Sequence, residues 1–134
     1  MTISQEQIEA NKKTGNIEFF PDQRHADYVI SRMPVTPAIL NPYGVVQAGA
    51  MKWLADVAAS ALTVEGQPIG TDGEGFPRAI EIHTAMVSNR RDGEIKAEAR
   101  FVRRGKNVLV VRTRATGNGG KSLAEVTTTH IWAR

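Results

Sequence analysis

An aspartate stands in the middle of the most apolar stretch of the chain. Residues 48–65 read AGAMKWLADVAASALTVE, where Lys52, Asp56 and Ser60 recur every four residues, the spacing of one helix face. A carboxylate among small apolar neighbours costs several kcal/mol unless it is paired or lies at a surface. Two interpretations stay open: an exposed ion pair with Lys52, or a carboxylate at the edge of a cleft that attacks a substrate or activates water.

The segment that leads into this stretch is built to expose backbone donors. It reads NPYGVVQAG from Asn41 to Gly49 and runs straight into the predicted helix. Free N–H groups at a helix N-terminus, with the helix dipole behind them, suit a developing oxyanion. Such a loop, a helix N-terminus and an acid two turns later could surround one carbonyl group, although the segment by itself also fits a simple tight turn.

Two other patterns do not predict catalytic or nucleotide sites. Residues 115–122, ATGNGGKS, match a relaxed phosphate-loop pattern, but a β-branched segment follows where that motif needs a helix, so we interpret them as a hairpin turn. His25, His83 and His130 match no metal-ligand spacing, so a structural role is expected for each. The chain has no cysteine, which excludes thiolate chemistry and Cys-type metal sites, and no G-x-S-x-G elbow.

The periodicity predicts one central helix and five strands. Residues 48–65 are apolar nearly all round, which predicts a buried helix wrapped by other structure. A short helix is expected at 2–14, and strands at 26–35, 79–88, 94–103, 107–116 and 121–133. The separators RRDG, RRGK and GNGG are hairpin signals, so the last four strands are expected to form an antiparallel meander. The prediction is an α+β fold with one antiparallel sheet curled around the helix, whose free edges favour a dimer.

Length and composition fit one globular domain. The chain has 134 residues, a net charge of +3 and 41% hydrophobic residues. We expect a single domain over 1–134, with 1–20 as an N-terminal helix or arm. No signal peptide and no membrane-spanning run is recognisable, so the protein is expected to be cytoplasmic and not bound to a membrane. The charge is too small to indicate nucleic-acid binding, which has only the RR-containing turns in its favour.

Loop and helix together resemble a known family. Asn-x-x-Gly-x-x-His-Gly-Gly followed by an acid seven residues later is the signature of hot-dog-fold acyl-CoA thioesterases, in the phenylacetate-pathway and 4-hydroxybenzoyl-CoA thioesterase branch. The resemblance extends along most of the chain, through phrases such as AIEIHTAMV and GGKSLAEVTTTHI. The signature positions in this sequence are Asn41, Gly44, Gln47, Ala48, Gly49 and Asp56.

The resemblance implies hydrolysis of an acyl-CoA or aryl-CoA thioester to a free acid and CoA. It makes Asp56 the general base or nucleophile, gives the N–H of Ala48 or Gly49 to the thioester carbonyl, and has Asn41 place substrate or water. It implies a site at a homodimer interface, with dimers pairing into homotetramers. It implies no metal or redox cofactor, since CoA enters as part of the substrate. The basic hairpin residues Arg103, Arg104 and Lys106, together with Arg90 and Arg91, would meet the CoA phosphates, unless they are simply solvated.

The chain departs from the family pattern at three positions. Gln47 and Ala48 replace the usual His-Gly, so a histidine cation is lost and the backbone is less free. Ala79 stands where many relatives have Ser or Thr two residues before an acid, here Glu81. These departures keep a second hypothesis open: a hot-dog protein that binds acyl-CoA without turning it over. A dehydratase or hydratase is disfavoured because the loop has no histidine. Met51, Trp53, Ala55 and Tyr43 are candidates to line an acyl pocket.

Overall fold

The computed structural model describes residues 4–6, 9 and 17–132. Most of the helix expected at 2–14 lies outside these residues. The described chain forms a six-stranded antiparallel sheet and one long helix. The elements are β1 (Phe20–Arg24), β2 (Tyr28–Pro34), α1 (Ala48–Val64), β3 (Pro77–Met86), β4 (Glu94–Arg104), β5 (Val108–Thr116) and β6 (Ser122–Trp132), with 3₁₀ turns at Pro37–Ile39 and Asn118–Gly120.

The predicted four-stranded meander is wrong at its first step. The strand order is β1-β2-β4-β5-β6-β3, so β3 pairs with β6 and β2 takes the edge of β4. The RRDG segment therefore lies in a crossover and not in a hairpin. Val87 and Ser88 both donate to the Leu123 carbonyl, at 2.9 and 3.1 Å, which ties the end of β3 to the start of β6. The RRGK and GNGG hairpins are confirmed as the β4–β5 and β5–β6 turns.

One face of α1 packs against the sheet and makes the core. The buried helix residues include Met51, Leu54, Ala58 and Leu62, each 0% exposed. Facing them are alternate residues of the strands, as in β4, where 95, 97 and 99 are buried and their neighbours are not. Alanines of the helix and of the strands belong to the same buried cluster, where their small side chains allow close approach.

The opposite face of α1 is open along its length, which corrects the expectation of a helix wrapped on all sides. Lys52 and Trp53 are exposed, and Asp56, Val57 and Ser60 are half-buried. The apolar character of this face is therefore not explained by packing within one chain. A surface of this kind is typical of an interface or a ligand site.

Strand β3 leaves a second apolar surface uncovered. It is an edge strand, and Ile80, Ile82 and Met86 on it are 56%, 45% and 39% exposed. Ile82, Thr84 and Met86 pair with Thr128, Val126 and Ala124, which are buried, so they lie on the helix side of the sheet. Long, apolar, unpaired edges invite pairing with another chain.

Candidate active site

The loop before α1 is shaped by Asn41. Its Oδ1 accepts hydrogen bonds from the backbone N–H of Tyr43 at 2.9 Å and of Val45 at 3.2 Å. Gly44 follows with a φ of 80°, a conformation that suits glycine. The side-chain carbonyl of Asn41 therefore holds the loop in shape, a structural use that the resemblance did not include.

The β3–β4 connection clamps this loop from the side. The Val46 N–H donates to the Arg90 carbonyl at 3.0 Å, and the Asn89 Nδ2 donates to the Val46 carbonyl at 3.0 Å. The Arg91 guanidinium donates to the Tyr43 carbonyl at 2.9 Å, and that of Arg90 pairs with Asp92 at 3.1 Å. Arg90 and Arg91, candidates for CoA phosphates in the sequence, thus both have protein partners: the Arg91 side chain holds the loop, and the Arg90 side chain bonds within the crossover.

The N-terminus of α1 offers two backbone donors. The N–H groups of Ala50 and Met51 point back to the Gln47 carbonyl, whereas those of Ala48 and Gly49 have no acceptor in the described part of the chain. Gln47 is the N-cap residue but makes no side-chain cap; its Nε2 donates to the Leu40 carbonyl at 3.3 Å.

The backbone at the N-terminus of α1 is not strained. Among the described residues none other than glycine has a positive φ, so Ala48 fits its helical position without penalty. A Cβ added at Gly49 would meet no atom within 4 Å. The space beside the Gly49 Cα is therefore open.

Asp56 lies in a cleft on the open face of α1, and its Oδ1 is buried without a hydrogen-bond partner. No ion pair joins it to Lys52, although both residues are described, so the alternative of a structural pair is not realised. The cleft has a volume of about 470 Å³ and includes Ser60, Phe76, Arg78 and Ala79. A buried, unpaired carboxylate oxygen is costly in a folded protein, which makes a functional explanation preferable.

The helix N-terminus and Asp56 are not brought together within one chain. Gln47 and Gly49 line a different cleft, of about 390 Å³, with Trp53. Eight residues of helix between Ala48 and Asp56 correspond to about 12 Å along the axis. A single carbonyl group cannot contact both, so the idea that one chain surrounds the carbonyl is wrong for this geometry.

Only one of the four candidates for an acyl pocket has the expected position. Met51 and Ala55 are 0% exposed and belong to the core, and Tyr43 is 82% exposed on the loop. Trp53, which is 42% exposed, lines the cleft beside Gly49. Its ring meets that of Phe19 edge-on, with the centroids 4.6 Å apart. This aromatic pair gives the cleft a firm apolar wall.

The basic hairpin lies at the same end of the sheet as the Asp56 cleft. Val108 pairs with Ile131 on β6, and Ile131 pairs in turn with Arg78 of that cleft. Arg103 and Lys106 line a shallow depression at the hairpin tip, while the Arg104 guanidinium sits 4.6 Å above the Phe101 ring. The fold thus gathers positive charge near the cleft, including Arg78, which the sequence analysis did not single out.

His130 is a second residue whose importance the sequence analysis missed. It is 0% exposed, its Nε2 lies 2.8 Å from Thr128 Oγ1, and its Nδ1 is buried without a partner. Burial lowers the pKa of His130, and the nearby Asp56 carboxylate opposes this with a smaller effect. Its position two residues after Thr128 in a strand was the available signal that both side chains point inward.

The other two histidines have ordinary surroundings. The His25 ring stacks on that of Tyr28 at 4.4 Å, and His83 is exposed on β3. The described residues contain no cluster of three or more metal-ligating side chains. None of the helices in the described part of the chain is long and apolar enough to cross a membrane. A cytoplasmic location stays a prediction from the sequence.

Several solved structures with similar folds are named as thioesterases. A thioesterase enzyme from Staphylococcus aureus superposes with a TM-score of 0.79 at 22% identity, covering 87% of this chain and 93% of its own. One from Haemophilus influenzae also has a TM-score of 0.79, at 19% identity, covering 87% and 78%. A hypothetical thioesterase from Streptococcus pneumoniae, crystallised with coenzyme A, has a TM-score of 0.75 at 14% identity, covering 87% and 89%.

Sequence comparisons add no closer relative, since no protein-family model and no curated protein matches the chain. The identities to these three solved structures are below 25%, so the likeness is one of architecture. A six-stranded antiparallel sheet packed on one long helix, superposing on these enzymes over most of their length, identifies the chain as having a hot-dog fold.

Proposed function

We propose that the protein is a thioester hydrolase that cleaves an acyl-CoA into a free acid and CoA. The observation that carries the proposal is the Asp56 carboxylate, whose Oδ1 is buried and unpaired in a cleft on the open face of α1. The unused N–H groups of Ala48 and Gly49 on the same helix supply oxyanion donors. Hydrolysis of a thioester needs an acid or base and such donors, with no metal or redox cofactor.

The complete site requires two chains. The oxyanion donors and Asp56 lie about 12 Å apart on one helix, yet both lie on its open face. If two copies related by a two-fold axis lay their helices antiparallel, Gly49 of one would approach Asp56 of the other, and the arrangement would occur twice. The uncovered apolar edge of β3 supports such a homodimer. Pairing of dimers into a homotetramer stays a prediction from the resemblance.

In this site the thioester carbonyl oxygen would accept hydrogen bonds from the N–H groups of Ala48 and Gly49. Asp56 then either removes a proton from the attacking water or attacks the carbonyl carbon itself, forming an anhydride that water cleaves. In both routes the C–S bond breaks, CoA leaves as the thiolate and takes up a proton, and the acyl group leaves as the carboxylic acid. Asn41 contributes by holding the loop in shape, and Gln47 contributes through its hydrogen bond to the Leu40 carbonyl. Both bonds keep the N–H donors in place.

The two clefts suggest where each part of the substrate binds. The Trp53 cleft beside Gly49, with its apolar wall, suits the acyl or aryl group. The positive charges of Arg78, Arg103, Arg104 and Lys106 at the other end suit the CoA phosphates. The presence of coenzyme A in the crystal of the S. pneumoniae relative supports a CoA thioester as the class of substrate.

The test is thiol release from a panel of aryl-, short- and medium-chain acyl-CoAs. The proposal expects turnover of at least one member. Acyl-CoA that raises Tm without releasing thiol would instead favour the alternative of a non-catalytic acyl-CoA-binding protein, for which the Gln47 and Ala48 departures are the motive. If no acyl-CoA is turned over and none raises Tm, both the hydrolase and the acyl-CoA-binding protein are rejected.

A further inference from the structure

Two buried polar atoms without partners face the same region of the protein from opposite elements. One is Oδ1 of Asp56 on α1, and the other is Nδ1 of His130 on β6. Asp56 and Ala79 line one cleft, and Ala79 is the direct strand partner of His130. His130 therefore lies immediately behind the wall of the cleft in which the carboxylate sits.

The surroundings of His130 favour one tautomer. Burial lowers the pKa of the imidazole, so it is neutral at pH 7 and has one donor and one acceptor nitrogen. The Nε2 atom is already 2.8 Å from the Thr128 hydroxyl, which can donate to it. The proton then resides on Nδ1, whose N–H otherwise has no acceptor, while the buried oxygen of Asp56 has no donor. Each group supplies what the other lacks.

We propose that His130 is a positioning residue for Asp56: its Nδ1–H, oriented by Thr128, donates to one water molecule that in turn donates to the buried Oδ1 of the carboxylate. This inference rests on the proposed function, in which Asp56 acts on the thioester. The bond fixes the rotamer of Asp56 and leaves its second oxygen free to reach water or substrate. It also compensates for burying one oxygen of a carboxylate that is carried by an otherwise apolar helix.

A pair of substitutions separates the two ring nitrogens. In His130→Asn the amide nitrogen can take the place of Nδ1, whereas in His130→Gln it takes the place of Nε2. We expect His130→Asn to keep kcat within about threefold of the wild type, and His130→Gln to lower kcat about 10-fold to 100-fold with little change in KM. Equal kcat values in the two variants, whether high or low, would contradict the proposal.

A second measurement does not depend on enzymatic activity, so it tests the role of His130 separately from the proposed function. Imidazole ¹⁵N spectra of the wild type at pH 7 should show His130 as the neutral Nδ1–H tautomer, with the signal assigned by its loss in His130→Asn. Asp56→Asn should shift the Nδ1 resonance, whereas Lys52→Ala should not. An Nε2–H tautomer, or an Nδ1 resonance indifferent to Asp56→Asn, would overturn the inference even in an active enzyme.

Discussion

The side-chain amide of Asn89 donates a 3.0 Å hydrogen bond to the carbonyl of Val46, 43 residues earlier in the chain. This bond and the backbone bond from Val46 to Arg90 attach the loop before α1 to the crossover between β3 and β4. The crossover that replaced the expected hairpin thus has a function of its own. It determines where the helix begins and hence where its free N–H groups point.

Removing the Asn89 amide should loosen this loop. Asn89→Ala loses the bond to Val46, so we expect stability to fall by about 1 kcal/mol and kcat to fall while the fold is retained. Urea unfolding and thiol release measure the two effects. Gln67→Ala, which removes an exposed amide in the loop after α1, is the control and should change neither. Unchanged kcat in Asn89→Ala would show that the clamp does not matter for the site.

The open space at Gly49 allows a substitution that should impair function without impairing folding. A methyl group there meets no atom of the chain, and alanine is the better helix former, so Gly49→Ala should be as stable as the wild type or up to about 1 kcal/mol more stable. The same methyl would obstruct a carbonyl approaching the helix N-terminus, so thiol release should fall by more than tenfold. Thermal melts and kinetics test this, with Lys121→Ala in the exposed β5–β6 turn as the control. Full activity in Gly49→Ala would mean that no substrate docks there.

The edge of β3 should carry the association of two chains. Ile82→Glu places a charge on the uncovered helix side of this strand, where a second chain would have to bury it. We expect the wild type to elute as a dimer or larger, the variant as a monomer, and its activity to be lost with dissociation. Val102→Glu, at a residue 53% exposed on β4, is the matched control and should remain assembled. A monomeric and active Ile82→Glu would refute the shared site.

His130 should make stability depend on pH. Burial lowers its pKa below the ordinary 6.5 in the folded state, whereas the unfolded chain keeps about that value. The unfolded state therefore binds more protons below pH 6.5, so stability is full above this pH and falls below it. The slope approaches about 1.4 kcal/mol per pH unit. Urea midpoints between pH 8 and 5.5 should show the fall in the wild type and in His83→Asn, but less of it in His130→Asn. An equal loss of stability in all three proteins would mean that a group other than His130 causes the pH dependence.

Local patterns were sufficient for α1 and for β2 to β6, but neither for β1 nor for the order of the strands in the sheet. The helix was predicted at 48–65 and lies at Ala48–Val64, because its few polar residues recur every four positions in an otherwise apolar stretch. The alternation in β3 shows which side chains share a face, yet it carries no information on whether β4 or β6 is beside it. Contacts between distant residues, such as Ser88 with Leu123, decide that. Strand β1 was missed because FPDQR has a proline and an aspartate and is exposed throughout, as an edge strand can be.

The candidate site was predictable in its parts and not in its assembly. Asp56 stands out because an acid is unusual in an apolar helix. The distance between it and Gly49 follows from helix geometry, but the use of a second chain to bridge that distance does not follow from any local motif. His130 looks like an ordinary strand residue in the sequence. Only the burial of its Nδ1 beside the Asp56 cleft makes it conspicuous.

The most direct test of the account compares thiol release by the wild type and Asp56→Asn on the best acyl-CoA of the panel. Asparagine has nearly the same shape but can neither accept a proton from water nor attack a carbonyl. We predict that turnover falls by at least about 100-fold while Tm and the oligomeric state are retained. Turnover that survives the substitution would contradict the account, because it would remove Asp56 from the chemistry.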